Sequence, residues 1–489
     1  MKARDTMNQT HIRLFACFLA LLLLVGTLTG CISANAEMAT PPNVSGEVPD
    51  ASKAAENTPP EEESIKRLQL DRSRIVISVW DYTGKVSQSE EGAASLKDFG
   101  TDLVLHPSKT AAFDQLTKYG IPVLGMNLNV PYSPLSQQLT RVLRGIRNGE
   151  YDNIADGYSK EPSVIGDYLY DEIAPKKDVF LTFRRIMQTY NEQMPGQLGL
   201  MILNPAWEEG AVGDFASYKD YVEMYCRMIP SDLITFDVYP FFRNTGNIVT
   251  DFLDAVLYTY DINAQAARKY DKDMWVILQA GSEYPATVTD KQMTNETIRY
   301  QVFTALAYGA TGLSYANYTP SWWEDGTSLW QSGSKNVGEK TPLWDICKPI
   351  NDEIHALSDT FMKYESMGVY TFGSSSVRAI NLQLQRQNLR SEESGYTAES
   401  IDGFTGISTD GGILVGGFLE KTGDGCAAMF VNQTDPFTAD ADTTVTFRVA
   451  GEGKTVTAHH HGGSEVLTAT DGVYSITVGS AEGVFVTVE

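Results

Sequence analysis

Asp171 and Glu172 close the run VIGDYLYDE and are the side chains whose types and spacing point most directly to chemistry. Two adjacent carboxyl groups resist ionising together, so one keeps its proton near neutral pH and is equipped to act as a general acid while the other stays charged. Protonating a leaving oxygen and stabilising the cation left behind is the chemistry of glycosidic bond cleavage. The residues before the pair read as a strand buried on both faces. Acids at the carboxyl end of such a strand sit where barrel enzymes keep their catalytic groups. The plainer reading is that both acids cap the following helix, a role these residue types often fill.

Positioning such a pair takes a frame, and the chain from Arg72 onward supplies one. Short apolar runs alternate with helical segments: Arg74 to Asp81, Thr101 to His106, Ile121 to Asn129, Ser163 to Glu172, Leu198 to Asn204, Asp232 to Pro240, Met274 to Gln279 and Thr311 to Tyr318. Helical spacing separates them, as in Phe183 to Tyr190 and Glu296 to Tyr308. Eight such units imply an α/β fold of the (β/α)₈ class, and no GxGxxG or P-loop follows an early strand to favour an open doubly wound sheet. Ile346, Ile350, Ile354, Leu357 and Phe361 form the apolar stripe of a closing helix. Beyond it, alternation as in Val445, Phe447, Val449 and Tyr474, Ile476, Val478 reads as an antiparallel β-sandwich. The expected division is a leader over 1–30, a tether over 31–67, the barrel over 68–365 and the sandwich over 366–489. Bracing the barrel is the expected role of the sandwich, with glycan binding as the alternative.

The ends of the eight runs carry polar and aromatic side chains. They are Trp80 and Asp81, His106, Asn127 and Asn129, Asn204 with Trp207, Asp237 and Tyr239, Gln279, and Tyr315 and Tyr318 followed by Trp322 and Trp323, with Trp330 further on. Aromatic faces offer flat area to the C–H face of a sugar, and Asp, Asn, Gln and Tyr hydrogen-bond its hydroxyls. Each tryptophan taken singly fits core packing equally well; the cluster carries the argument. His459, His460 and His461 follow one another along a strand, so their side chains alternate in direction and do not converge on one metal. No metal or organic cofactor is indicated.

Composition bounds the partners. The net charge of -24 repels phosphate backbones, which speaks against nucleic acid. Lys2, Arg4 and Arg13 precede an apolar stretch from Leu14 to Val25, the pattern of a secretory leader. Leu28-Thr29-Gly30-Cys31 resembles a bacterial lipobox, which implies cleavage before Cys31, lipidation of its thiol and an extracellular, membrane-anchored protein. Residues 32–67 are rich in Ala, Pro, Ser, Glu and Asn and poor in large apolar side chains, as a disordered tether would be. Cys226, Cys347 and Cys426 are widely spaced, so neither a disulfide framework nor a cysteine metal site is expected.

Over roughly Arg72 to Tyr364 the chain resembles clan A and other barrel glycoside hydrolases. In clan A the fourth strand ends in Asn-Glu and the seventh in a nucleophilic Glu. Here Asp171 replaces the Asn, Gln279 stands at the end of the seventh run, and the nearest acid, Glu283, lies four residues on. The Asp-Glu pair is more similar to hexosaminidases of glycoside hydrolase families 20 and 123, whose substrate's own 2-acetamido group attacks the anomeric carbon. That resemblance implies Glu172 as acid/base, Asp171 as the group that orients the acetamido N–H and Tyr239 or Tyr318 on the acetamido oxygen; Asp237, Tyr239, Gln279 and Asn204 rank next as substrate-binding positions. Two alternatives stay open: Glu172 working with Glu283 or Asp237 on neutral sugars, and a non-catalytic glycan-binding lipoprotein.

Overall fold

The computed structural model describes residues 66–105, 113–125, 135–148, 161–206, 212–241, 248–331, 338–373, 400–434, 436 and 441–489. The leader, Cys31, the tether up to residue 65, and His106, Asn127, Asn129 and Trp207 lie outside the described residues.

Eight parallel strands close into a barrel: β1 (Val76–Trp80), β2 (Leu103–Leu105), β3 (Val123–Gly125), β4 (Val164–Ile173), β5 (Leu198–Leu203), β6 (Leu233–Asp237), β7 (Asp273–Gln279) and β8 (Gly312–Ala316). Each pairs with the next, and β8 returns to β1 with Ser314 opposite Ser78. The helices follow in step: α1 (Glu90–Asp98), α2 (Asp114–Tyr119), α3 (Leu135–Asn148), α4 (Lys177–Gln193), α5 (Tyr218–Met228), α6 (Ile248–Tyr270), α7 (Asn295–Ala307) and α8 (Pro342–Phe361). A short hairpin, β9 (Trp330–Gln331) and β10 (Glu339–Lys340), sits between β8 and α8.

Local chemistry explains these boundaries. Ser89 caps α1 by accepting from the Gly92 amide at 2.9 Å, with Glu90 and Glu91 against the positive end of the helix. Thr294 and Thr297 form a reciprocal capping box at the start of α7. The barrel interior is filled by Val76, Trp80, Leu103, Leu105, Leu124, Ile165, Tyr168, Leu200, Ile202, Leu233, Trp275, Ile277 and Ala316. Gly312 lies beside Trp275 on the neighbouring strand, and a Cβ there would come within 2.5 Å of the indole, so the large ring and the missing side chain require one another. The other face of the strands packs on the helices in the main core, as a parallel sheet buried on both sides must.

Two antiparallel sheets follow the barrel. One has the order β11 (Tyr364–Phe372), β14 (Ile413–Glu420), β15 (Cys426–Asn432), β20 (Gly483–Val488), β17 (Val456–His460) and β18 (Gly463–Val466). The other has the order β12 (Ser400–Ile401), β13 (Phe404–Thr409), β16 (Thr443–Val449) and β19 (Tyr474–Val478). Alternating side chains of both sheets form a second core around Phe404, Phe430 and Phe447. The sandwich opens at Tyr364, directly after α8. It is joined to the barrel by α7, which seats on β14 and β15 so closely that a Cβ at Gly416 would fall 2.0 Å from the Ala307 carbonyl oxygen. Arg299 of α7 makes a buried two-pronged ion pair with Glu353 of α8, at 2.8 and 3.2 Å. The His461 amide of the sandwich donates to the same carboxylate at 2.7 Å. The three histidines go separate ways: His459 to Thr487, His460 to Glu465 and His461 to Glu482.

Candidate active site

The carboxyl end of β4 is not a regular strand. In an extended chain neighbouring side chains leave on opposite faces, which would turn Asp171 and Glu172 away from each other. The register of β4 against β5 instead slips between Tyr168 and Tyr170 and again before Ile173, and Glu172 takes a left-handed backbone with φ 49°. For a residue with a Cβ that conformation costs about 1–2 kcal/mol. The next residue anchors it: the Ile173 carbonyl accepts from the Tyr221 hydroxyl at 2.7 Å and from the Asn204 side-chain amide at 3.0 Å. Tyr170 meanwhile points outward and packs on Phe183 of α4 at 4.4 Å between ring centroids. At the end of β6, the Asp237 carboxyl group feels both Glu172 and Asp171.

Three acids therefore share the mouth of the barrel. Burial raises the Asp171 pKa, and the neighbouring Tyr168 hydroxyl acts in the opposite direction. Glu172 is raised by burial of its flanks and then by Asp171. It still reaches solvent at the mouth, where screening tempers the effect. Asp237 is only 7% exposed, and its pKa is driven well above the ordinary carboxylate value by burial, then by Glu172, then by Asp171. Tyr239 hydrogen-bonds Asp237, and its own ionisation is pushed upward by burial first and Asp237 second. The ordering is chemically useful. Burial acts on all three and most strongly on Asp237, while Glu172 keeps access to solvent.

A run of aromatic rings joins the acids across the mouth. Tyr168, the partner of Asp171, meets Trp80 edge-on at 5.5 Å, and Trp80 meets Trp322 at 5.7 Å. Trp322 in turn contacts Tyr82 at 6.1 Å and Tyr239, the partner of Asp237, at 6.5 Å. Trp80 is nearly buried, whereas Tyr82 and Trp322 keep 49% and 41% of their surface exposed. Such a wall offers an apolar face to a sugar ring while the acids address its polar edge.

Of the residues expected at the rim, Asp171, Glu172, Asp237, Tyr239, Trp80 and Trp322 come together. Others are used inside the scaffold. Asp81 is fully buried and accepts from the Ser87 amide and hydroxyl at 2.7 and 2.6 Å and from Thr319 at 3.1 Å, which ties the loop after β1 to the loop after β8. Gln279 accepts from the Phe241 amide at 2.8 Å and donates to the Gly281 carbonyl at 3.1 Å, so its side chain shapes the turn after β7. Tyr315 faces outward between the inward Ser314 and Ala316 and donates to Asn351 of α8 at 2.7 Å. Tyr318 is buried behind the rim, bonded to Ser95 and Trp344 and stacked on Trp330. Trp323 lies beneath Tyr239 and donates to the Ala316 carbonyl at 2.9 Å. Asn204 secures the end of β4, and Glu283 is exposed. Tyr168 and Tyr82 are the site residues that sequence reasoning missed. Tyr168 was hidden inside the same apolar run as the acids, and Tyr82 follows Trp80 by the two-residue step that keeps one side of an extended chain. Among the described residues, no group of three His, Cys, Asp or Glu side chains is arranged to hold a metal ion.

No family model and no curated protein matches the chain. Solved structures follow parts of its path. The alpha-amylase of Geobacillus thermoleovorans, determined with acarbose, is 8% identical over 86% of this chain and 99% of that one, with a TM-score of 0.47. A beta-galactosidase from Marinomonas ef1 is 10% identical over 60% and 62% of the two chains, with a TM-score of 0.42. Xylanase 10B of Thermotoga maritima is 12% identical over 59% and 98%, with a TM-score of 0.38. The barrel itself is defined by the strand ladder above, and the chemistry by this chain's own side chains.

Proposed function

We propose that the protein is a glycoside hydrolase in which Glu172 is the general acid and base and Asp171 supports substrate-assisted cleavage of a 2-acetamido sugar. The observation that carries this reading is the grouping of Asp171, Glu172 and Asp237 at one mouth, walled by Trp80, Trp322 and Tyr239. In this scheme protonated Glu172 donates to the glycosidic oxygen as the bond to the anomeric carbon breaks. The acetamido carbonyl oxygen closes onto that carbon, and Asp171 accepts the acetamido N–H and balances the oxazolinium charge. Glu172, now a carboxylate, removes a proton from the water that opens the ring and is returned to its starting state.

The deep placement of Asp237 supports substrate assistance over a protein nucleophile. A nucleophile must be ionised, and burial beside two acids pushes the Asp237 pKa well above the ordinary carboxylate value, which disfavours the anion. Glu283, the other candidate, lies on the loop after β7, four residues beyond Gln279.

Matched aryl glycosides with a 2-acetamido or a 2-hydroxyl group test the scheme. Turnover confined to the acetamido series supports it, and comparable turnover of 2-hydroxyl sugars rules out substrate assistance.

Anchoring through a lipidated Cys31 belongs to the same proposal and rests on the sequence around that thiol. Cys31→Ala should move the protein from the membrane fraction to the medium, and an unchanged distribution would contradict it. Among the described residues no helix is long and apolar enough to cross a membrane.

A further inference from the structure

Asp237 follows Leu233 and Thr235 along the inward face of β6, and Tyr239 continues that face past the strand end. Its Oδ1 is buried and has no hydrogen-bond partner among the described residues, although Tyr239 hydrogen-bonds the carboxyl group. The surroundings do not supply what an anion would need. The register partner on β7 is Ile277, and the nearby amide of Gln279 is spent on its own turn. The ionisable groups that act on it are Glu172 and Asp171 from β4 and Tyr239 from its own strand, all acids, and Tyr218 of α5 is in turn raised by Asp237. No described ion pair includes Asp237. Its own backbone amide and Tyr239 are the two hydrogen-bond donors to the carboxyl group, and both leave Oδ1 bare; a buried carboxylate with one oxygen unsatisfied and two acidic neighbours is a costly arrangement. A carboxylic acid with one oxygen accepting from Tyr239 and a proton on the other is satisfied as soon as an acceptor arrives.

We propose that Asp237 works as a neutral hydrogen-bond donor, holding an acceptor oxygen of the sugar at the innermost end of the pocket through Oδ1 while Tyr239 fixes its other oxygen. This deepens the glycosidase reading and rests on it. It assigns Asp237 a role distinct from nucleophile or base, and it gives the substrate an acceptor oxygen, a hydroxyl or the acetamido carbonyl, at the level of the end of β6. Bond making and breaking stay with Glu172 and the substrate; the Asp237 proton remains on Asp237 throughout.

Asparagine keeps a donor and an acceptor in the same place, whereas leucine keeps only the volume. Asp237→Asn should raise KM and lower kcat/KM by roughly threefold to tenfold, while Asp237→Leu should lower it by about 10²-fold or more, because a substrate oxygen is then buried without a partner. The alkaline limb of the pH profile should stay in place in the Asn variant, since one neutral group replaces another beside Glu172. If Asp237 is instead an ionised base or nucleophile, Asp237→Asn will be as inactive as Asp237→Leu, and any residual activity will have its alkaline limb moved to lower pH as a neighbouring charge disappears from Glu172.

An infrared difference spectrum of wild type against Asp237→Asn at neutral pH needs no turnover. It should show the carbonyl stretch of a protonated carboxylic acid in the wild type, and a carboxylate band in its place would overturn the proposal. Because this readout is independent of the reaction, a failed glycosidase assay and a failed Asp237 assignment are distinguishable.

Discussion

The two ends of the barrel treat charge in opposite ways. At the amino-terminal floor, the segment before β1 lies across the opening with Leu68 and Leu70 against the interior cluster. Arg67 donates to the carbonyls of Glu161 and Val164 at 3.2 and 2.6 Å, and Arg72 pairs with Asp273. Both arginines are matched there, one by carbonyls and one by a carboxylate. At the carboxyl-terminal mouth, Asp171, Glu172 and Asp237 are gathered with tyrosines, and their pKa values are raised. The floor is organised for stability. The mouth holds like groups together against their electrostatic preference, which is how a fold sets aside stability for acid–base chemistry.

The contrast is sharpest in rate. Asp171→Asn should slow turnover of a 2-acetamido substrate by about 10²–10³-fold, the range expected when one group that stabilises developing charge is lost. The same variant should not weaken the fold. Between the ordinary carboxylate range near pH 4 and its raised native value, the folded protein binds more protons at Asp171 than the unfolded chain does, so wild-type stability falls as pH rises through that window. Asparagine removes this dependence, and thermal unfolding of the variant across the pH range should show a flatter profile and a higher midpoint at neutral pH.

Breaking a matched pair should give the reverse outcome. Arg299→Ala leaves Glu353 buried without its partner and should cost about 3–5 kcal/mol in denaturant unfolding, with kcat/KM unchanged in the surviving folded protein. Trp322→Ala tests the wall alone. KM should rise about threefold to tenfold with kcat nearly preserved, the size of one aromatic contact of about 0.5–1.5 kcal/mol. Smallest of all, Arg72→Ala removes a partly exposed pair at the floor and should change stability by about 0–1 kcal/mol without touching turnover.

Much of the frame was legible in the sequence because parallel strands buried on both faces must be short apolar runs, and all eight runs became barrel strands. The sandwich was legible from its alternation. In the mouth, the position of Asp171, Glu172, Trp80, Asp237 and Tyr239 followed from strand ends alone. Strand ends do not say which face a residue takes, and that is where expectation and structure part. Tyr315 lies between the inward Ser314 and Ala316, so its ring turns to the helices. Asp81, next to the inward Trp80, turns to the loops it ties together. Gln279 reaches the right level but is consumed by the Phe241 amide after β6 and the Gly281 carbonyl after β7. The left-handed backbone of Glu172 at the end of β4 has no signature in the sequence, because Glu is neither a glycine nor an asparagine.

The central claim is that Glu172 protonates the leaving oxygen, and leaving-group dependence in Glu172→Gln examines it most directly. For a 2-acetamido glycoside with a poor leaving group the variant should lose about 10²–10⁴ in rate. For an activated aryl leaving group, which departs without a proton, the bond-breaking step should stay close to wild type in a burst or single-turnover measurement. Equal activity of the variant on both substrates, or an equal loss on both, would contradict the assignment of Glu172 as the acid.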